Sequence, residues 1–149
     1  ELIENIANSF TLRVEHTGGK IYIDIGALES TIYVDEVHFQ NAIFNLMDNA
    51  VKYGKPDQPL DVFLKTWNDN DHLFLSIRDN GLGIKKENLK KVFEKFYRVH
   101  TGNVHDVKGF GLGLAYVKKV VELHNGEISV ESEYRKGTSF IIKLPIIKE

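Results

Sequence analysis

The chain contains no cysteine, so disulfides and thiolate metal sites are excluded, which suits a reducing compartment. No apolar run approaches the roughly 20 residues that span a bilayer, and no signal peptide is visible. Charge of neither sign dominates. A formal net charge of −2 provides no basic footprint for nucleic acid and no acidic tail. Low-complexity tracts are absent too. With 149 residues, 42% of them hydrophobic and 27% charged, the composition is that of one folded domain with room for a real core. The chain starts at Glu1 rather than methionine, so it is expected to be a piece of a longer protein.

Periodicity orders the chain. Leu2, Ile3 and Ile6 fit the end of an upstream dimerisation helix or linker over residues 1–8, with the domain proper at 9–149. Thr11–Glu15 and Lys20–Ile25 alternate around His16-Thr17-Gly18-Gly19, which predicts a hairpin. Phe39, Ala42, Ile43, Leu46, Met47 and Ala50 follow helical spacing, with Asp35 as N-cap and Gly54 and Pro56 as the stop. Strands are expected over Leu60–Trp67 and His72–Asp79, joined by the polar turn 68–71. A short helix over Lys86–Tyr97 and an aperiodic loop over residues 98–108 come next. A helix over Leu112–His124 stops at Asn125-Gly126, and strands near Glu127–Glu133 and Thr138–Leu144 close the chain. This order lacks regular βαβ alternation. It predicts an α+β fold, a two-layer α/β sandwich with a mixed, mainly antiparallel sheet and helices on one face.

Three constellations carry chemistry. Asn45, Asn49 and Lys52 fall at i, i+4 and i+7 on one helix. Alone they read as a solvated face, but two asparagines are poor helix formers there. An amide oxygen suits a hard cation such as Mg2+, and Lys52 could meet a phosphate. Second, Asp79-Asn80-Gly81-Leu82-Gly83-Ile84 ends a strand. The bland reading is a turn. The functional one has Asp79 accepting from an exocyclic amine while glycine lets a planar ligand approach the backbone. Third, Gly109-Phe110-Gly111-Leu112-Gly113-Leu114 opens a helix, where unpaired N–H groups favour an anion. It fits neither a dinucleotide fingerprint nor a P-loop.

In this order the three resemble the histidine kinase branch of the ATPases that share the Bergerat fold. Asn45–Tyr53 is similar to the asparagine box and Asp79–Ile84 to the first glycine box. Val92–Arg98 is similar to the phenylalanine box, Gly109–Leu114 to the second glycine box and Gly137–Phe140 to the last glycine motif. The resemblance covers about residues 30–145. It implies the Bergerat ATP-binding fold with a flexible lid over residues 98–110. It also implies that Asn49 ligates Mg2+ beside Asn45, that Lys52 reaches a phosphate and that Tyr53 stacks near adenine. Asp79 would read the adenine amino group, partly through water that Thr138 supports, in a pocket completed by Gly81, Gly83 and Ile84. Phe93 and Phe96 would anchor the lid. Tyr97 and Arg98 would follow, Arg98 addressing the terminal phosphate, while Gly109, Gly111 and Gly113, with Phe110 and Leu112 between them, wrap the phosphates. Lys108 is an additional candidate for phosphate contact on charge and position only. The catalytic positions are then Arg98 and Asn45.

Hydrolytic relatives are expected to have glutamate where Asn45 stands, and asparagine is a poor general base. The implied reaction is therefore γ-phosphoryl transfer from Mg-ATP to a histidine on a dimerisation domain outside this chain. None of the six histidines lies in a helical H-E-x-[RK]-like motif; His38 and His124 read as packing or capping residues. A response regulator receiver domain would be an indirect partner. The resemblance also implies a cytoplasmic, monomeric fragment without direct membrane contact, from a homodimer anchored in the bacterial inner membrane. The alternative is a degenerate nucleotide- or partner-binding module without phosphotransfer.

Overall fold

A computed structural model describes residues 2–26, 35–94 and 113–146. Helix α1 (Leu2–His16) opens the chain and strand β1 (Ile21–Ile25) follows. Helix α2 (Glu36–Lys52) leads to β2 (Val62–Asn68) and β3 (His72–Asp79). The short α3 (Lys86–Leu89), then α4 (Gly113–Leu123), β4 (Glu127–Glu133) and β5 (Gly137–Pro145) complete the order. The sheet runs β1-β2-β3-β5-β4, parallel between β1 and β2 and antiparallel elsewhere. The α+β sandwich expected from the element order is the one observed.

The hairpin expected at the N-terminus does not form. Thr11–Glu15 lie inside α1, where Ile6, Ala7, Phe10 and Val14 make one buried helical face and Leu12 is 82% exposed. The alternation over five residues is a short window on a longer 3.6-residue period, and burial decides between the two. His16-Thr17-Gly18-Gly19 ends this helix, with Gly18 at φ +93°, and β1 joins the sheet beside β2 instead. The helix expected over Lys86–Tyr97 is also shorter. After Leu89 the chain continues in turns to Glu94, and Phe96 and Tyr97 lie outside the described residues.

Strand alternation sorts side chains to two faces. Val62, Leu64, Leu75, Ile77, Phe140, Ile142 and Leu144 join α1, α2 and α4 in a single core. Each such side chain, fully buried, contributes about 1.5–3 kcal/mol relative to exposure. The opposite face carries aromatic pairs, Tyr22 on Phe63 and Trp67 on Phe74, with Arg78 over the Phe63 ring and Lys65 over Trp67.

Helix α2 is the central strut. Asp35 caps it by accepting from the His38 N–H at 3.2 Å, and its own N–H donates to His124 Nε2 at 2.8 Å. The His124 Nδ1–H donates in turn to Val120 O at 2.7 Å, so the end of α4 holds the start of α2. Both histidines expected to cap or pack do so here, His38 through Tyr116. Among the described residues no helix is long and apolar enough to cross a membrane.

Candidate functional site

The site is built from the last row of the sheet. Val62, Asp79, Thr138 and Ser132 are register partners across β2, β3, β5 and β4. Their side chains therefore share the helical face at one end of the sheet. Asp79 is only 9% exposed and Thr138 6%. Burial pushes the Asp79 carboxyl up from 3.8 to about 6, because the charged form is desolvated. Backbone N–H groups of Gly81 and Thr138 act in the opposite direction, the first at 2.8 Å from Asp79 Oδ1. A carboxylate held in this way, with no cation paired to it among the described residues, can accept from a further donor.

The turn after β3 is clamped on both sides. On one side, Tyr53, the C-cap of α2, accepts from the Leu82 N–H at 2.8 Å, and a Cβ on Gly81 would come within 2.5 Å of that same Tyr53 oxygen. On the other, the β4–β5 hairpin donates from the Arg135 N–H to Leu82 O. Gly83, at φ +72°, leaves no room for a side chain, since its Cβ would sit 2.2 Å from Glu133 O. Both conformation and space demand glycine there. Asn80 ties the turn back to the strand entry, accepting from Asp61 N–H at 2.8 Å. The Ile84 N–H donates to Ser132 Oγ at 2.7 Å.

The second half of the site is the open stripe of α2. Asn45 and Asn49 are half-buried and one turn apart. Asn45 Nδ2 donates to Asn41 O at 2.8 Å. Its Oδ1 is turned toward the start of α4, where a Cβ on Gly113 would lie 3.2 Å away. Lys52 pairs with Asp48 at 2.9 Å, and Asp48 also meets Arg13 at 3.5 Å. Phe93 packs edge-on against Phe140 with centroids 6.2 Å apart.

Thus Tyr53, Asp79, Gly81, Gly83, Ile84 and Thr138 meet at one sheet end, Asn45 faces Gly113 at the start of α4, and Asn49 lies on α2 between Asn45 and Tyr53. Lys52 stands on the same helix but faces Asp48. Arg98, Lys108, Gly109, Phe110, Gly111 and Leu112, with the expected lid, lie outside the described residues. Sequence reasoning missed Ser132, which has no motif of its own. A cleft of about 490 Å3 lined by Phe63, Arg78, Glu131 and Ser139, among others, opens on the opposite, aromatic face. Those four are register partners one row up from Asp79, so the cleft lies behind the site. Asp79 and Thr138 contribute to its wall as well.

A family model described as histidine kinase-, DNA gyrase B-, and HSP90-like ATPase matches residues 34–148. The chain is 60% identical over 148 residues to the sensor protein RprX of Bacteroides fragilis, covering 99% of the chain and 28% of that protein. To the sensor protein CiaH of Streptococcus pneumoniae it is 37% identical over 119 residues, covering 80% of the chain and 26% of that protein. It thus spans about a quarter of the length of these curated relatives. Among solved structures, the mycobacterial sensor histidine kinase MprB matches with a TM-score of 0.76 at 28% identity, over 99% of this chain and 97% of that one. Full-length ShkA in complex with AMPPNP matches at 0.83 and 26% identity, over 99% of this chain and 30% of that one.

Proposed function

The chain belongs to the family of histidine kinase-, DNA gyrase B- and HSP90-like ATPases, and on that premise we propose that it is the ATP-binding catalytic domain of a two-component sensor histidine kinase. The observation that carries the reading is Asp79, a buried acceptor at a sheet end that two backbone N–H groups only partly compensate, beside a turn whose glycines keep the backbone bare. An exocyclic amine of a purine satisfies it. A charged acceptor of this kind is worth about 1.5–3 kcal/mol, roughly 10- to 150-fold in affinity. The ATPase description of the matching family and the AMPPNP complex of ShkA support the same choice of ligand.

The phosphates would then extend from the pocket along α2 toward the start of α4. The donor set there fits Mg2+, a hard cation that takes oxygen ligands. Asn49 would hold it, with the Asn45 amide oxygen alongside. Among the described residues no cluster of His, Cys, Asp and Glu offers another metal site. When bound, the ion supplies charge neutralisation at the phosphates. Asn45 places no general base one turn before Asn49, so water is not activated and the γ-phosphoryl is kept for a histidine. That histidine would stand on a dimerisation domain of the same protein, beyond this chain, and a response regulator receiver domain would take the group from it. Catalysis in such a module is positioning and charge neutralisation. Lys52, Arg98, Lys108 and the glycines at 109, 111 and 113 are the proposed phosphate contacts, with Arg98 at the terminal one. Tyr53 and Tyr97 are assigned to the nucleotide's flanks. The whole protein is proposed to be a membrane-anchored homodimer with this domain in the cytoplasm.

Calorimetric titration tests the reading directly. ADP and a non-hydrolysable ATP analogue should bind the wild type in a magnesium-sensitive manner, and Asp79→Asn should weaken them tenfold or more. A well-folded wild type that binds neither nucleotide overturns it.

A further inference from the structure

Ser132 has no place in any motif, yet its hydroxyl sits where three segments meet. It accepts from the Ile84 N–H at 2.7 Å, donates to Gly137 O at 2.8 Å and lies 2.9 Å from Thr138 Oγ1. A serine hydroxyl has one hydrogen and two lone pairs. With the hydrogen on Gly137 O and one lone pair on Ile84 N–H, a lone pair is left for the Thr138 hydroxyl hydrogen. Ser132 therefore settles which way the Thr138 hydroxyl points, a rotor otherwise free to turn. Thr138 then offers only lone pairs to the space in front of it. Its register partner Asp79 is an acceptor in the same row. Two acceptors side by side suit a 6-amino group, which has two hydrogens to give, whereas a 6-oxo purine offers only its N1–H and sets a carbonyl oxygen against the other acceptor.

We propose that Ser132 is a positioning residue for base selection: by holding the Thr138 hydroxyl as an acceptor, it makes the pocket prefer a 6-amino purine over a 6-oxo purine. The inference rests on the adenine pocket proposed above and deepens it. Ser132 need not touch the nucleotide. It acts through Thr138, and it couples the turn at Ile84 to the β4–β5 hairpin at Gly137.

The test compares ADP with inosine diphosphate, which carries a carbonyl where adenine carries its amine. Dissociation constants are measured for the wild type, Ser132→Ala, Thr138→Val and the double variant. In Ser132→Ala the Thr138 hydroxyl can rotate and donate, so the ADP preference should fall about three- to tenfold. Thr138→Val should lower it similarly, and the double variant no further, the non-additivity expected when one residue acts through the other. A merely structural Ser132 would weaken both nucleotides equally, and an unchanged ratio in Ser132→Ala overturns the proposal. Additive losses in the double variant overturn it as well. Should Ser132→Ala fail to fold, Ser132→Cys keeps the volume, and the weak thiol partner must lower the ratio in the same direction. A wild type that binds ADP no better than inosine diphosphate would instead bring down the adenine pocket itself.

Discussion

The two halves of the site are prepared to different degrees. At the sheet end the chain has already closed. Asp79 is buried, the turn at residues 81–83 is wedged between Tyr53 and the hairpin, and backbone contacts forbid added atoms. Along α2 the polar groups are half-exposed, and Lys52 is occupied by a neighbour on its own helix. The first half is set by folding and selects; the second waits for a charged ligand to organise it. Substitutions should therefore act chiefly on stability at the sheet end and chiefly on binding along the helix.

Gly83→Ala should have the largest effect. It combines a left-handed backbone with a clash against Glu133 O, and about 2–5 kcal/mol of stability should be lost in urea unfolding. Asp79→Asn should split the two properties. The folded state of the wild type holds the proton more tightly than the unfolded chain, with a carboxyl near 6 against 3.8. The contribution of Asp79 to stability is then most favourable below pH ~4 and falls as pH rises to about 6, reaching a penalty of about 3 kcal/mol that persists at pH 7. Asparagine removes that penalty, so the variant should be more stable at neutral pH, by up to that amount, with a flatter pH profile and much weaker ADP binding. By the same titration, wild-type ADP affinity should drop as pH falls below about 6. An Asp79→Asn protein less stable than wild type at pH 7 would mean that the carboxylate is compensated after all.

Asn49→Ala should leave stability within about 0.5 kcal/mol, since alanine is the better helix former, yet abolish the magnesium enhancement of ATP-analogue binding. Equal loss of stability and binding would erase the distinction between the halves. The smallest effect belongs to Asp48→Ala. Its pair with Lys52 is partly solvated, so no more than about 1 kcal/mol is at stake, and the freed ammonium should hold or slightly raise affinity for the ATP analogue.

Much of this arrangement was legible in the residues. Helix α2, its Asp35 cap and the αL stop at Asn125 follow from spacing and local chemistry, and the structure has each of them. The place of Asp79 at a strand end next to glycines was legible too, but its burial was not. The N-terminal helix was not legible in a five-residue window, because Val14 and Leu12 look alike until α2 covers one of them. Nor was Ser132, whose hydroxyl meets Ile84 across 48 positions. The role of Lys52 divides in the same way: its helix position was plain, its partner was not.

By itself the sequence determined the order of elements from α2 onward, their helix and strand periods and the three ligand-like constellations, because those depend on residues a few positions apart. Tertiary structure alone decided that residues 11–15 are helical, that β1 runs parallel to β2, and that Asp79, Thr138 and Ser132 share one row. Register and burial are properties of surfaces brought together, and no local pattern contains them.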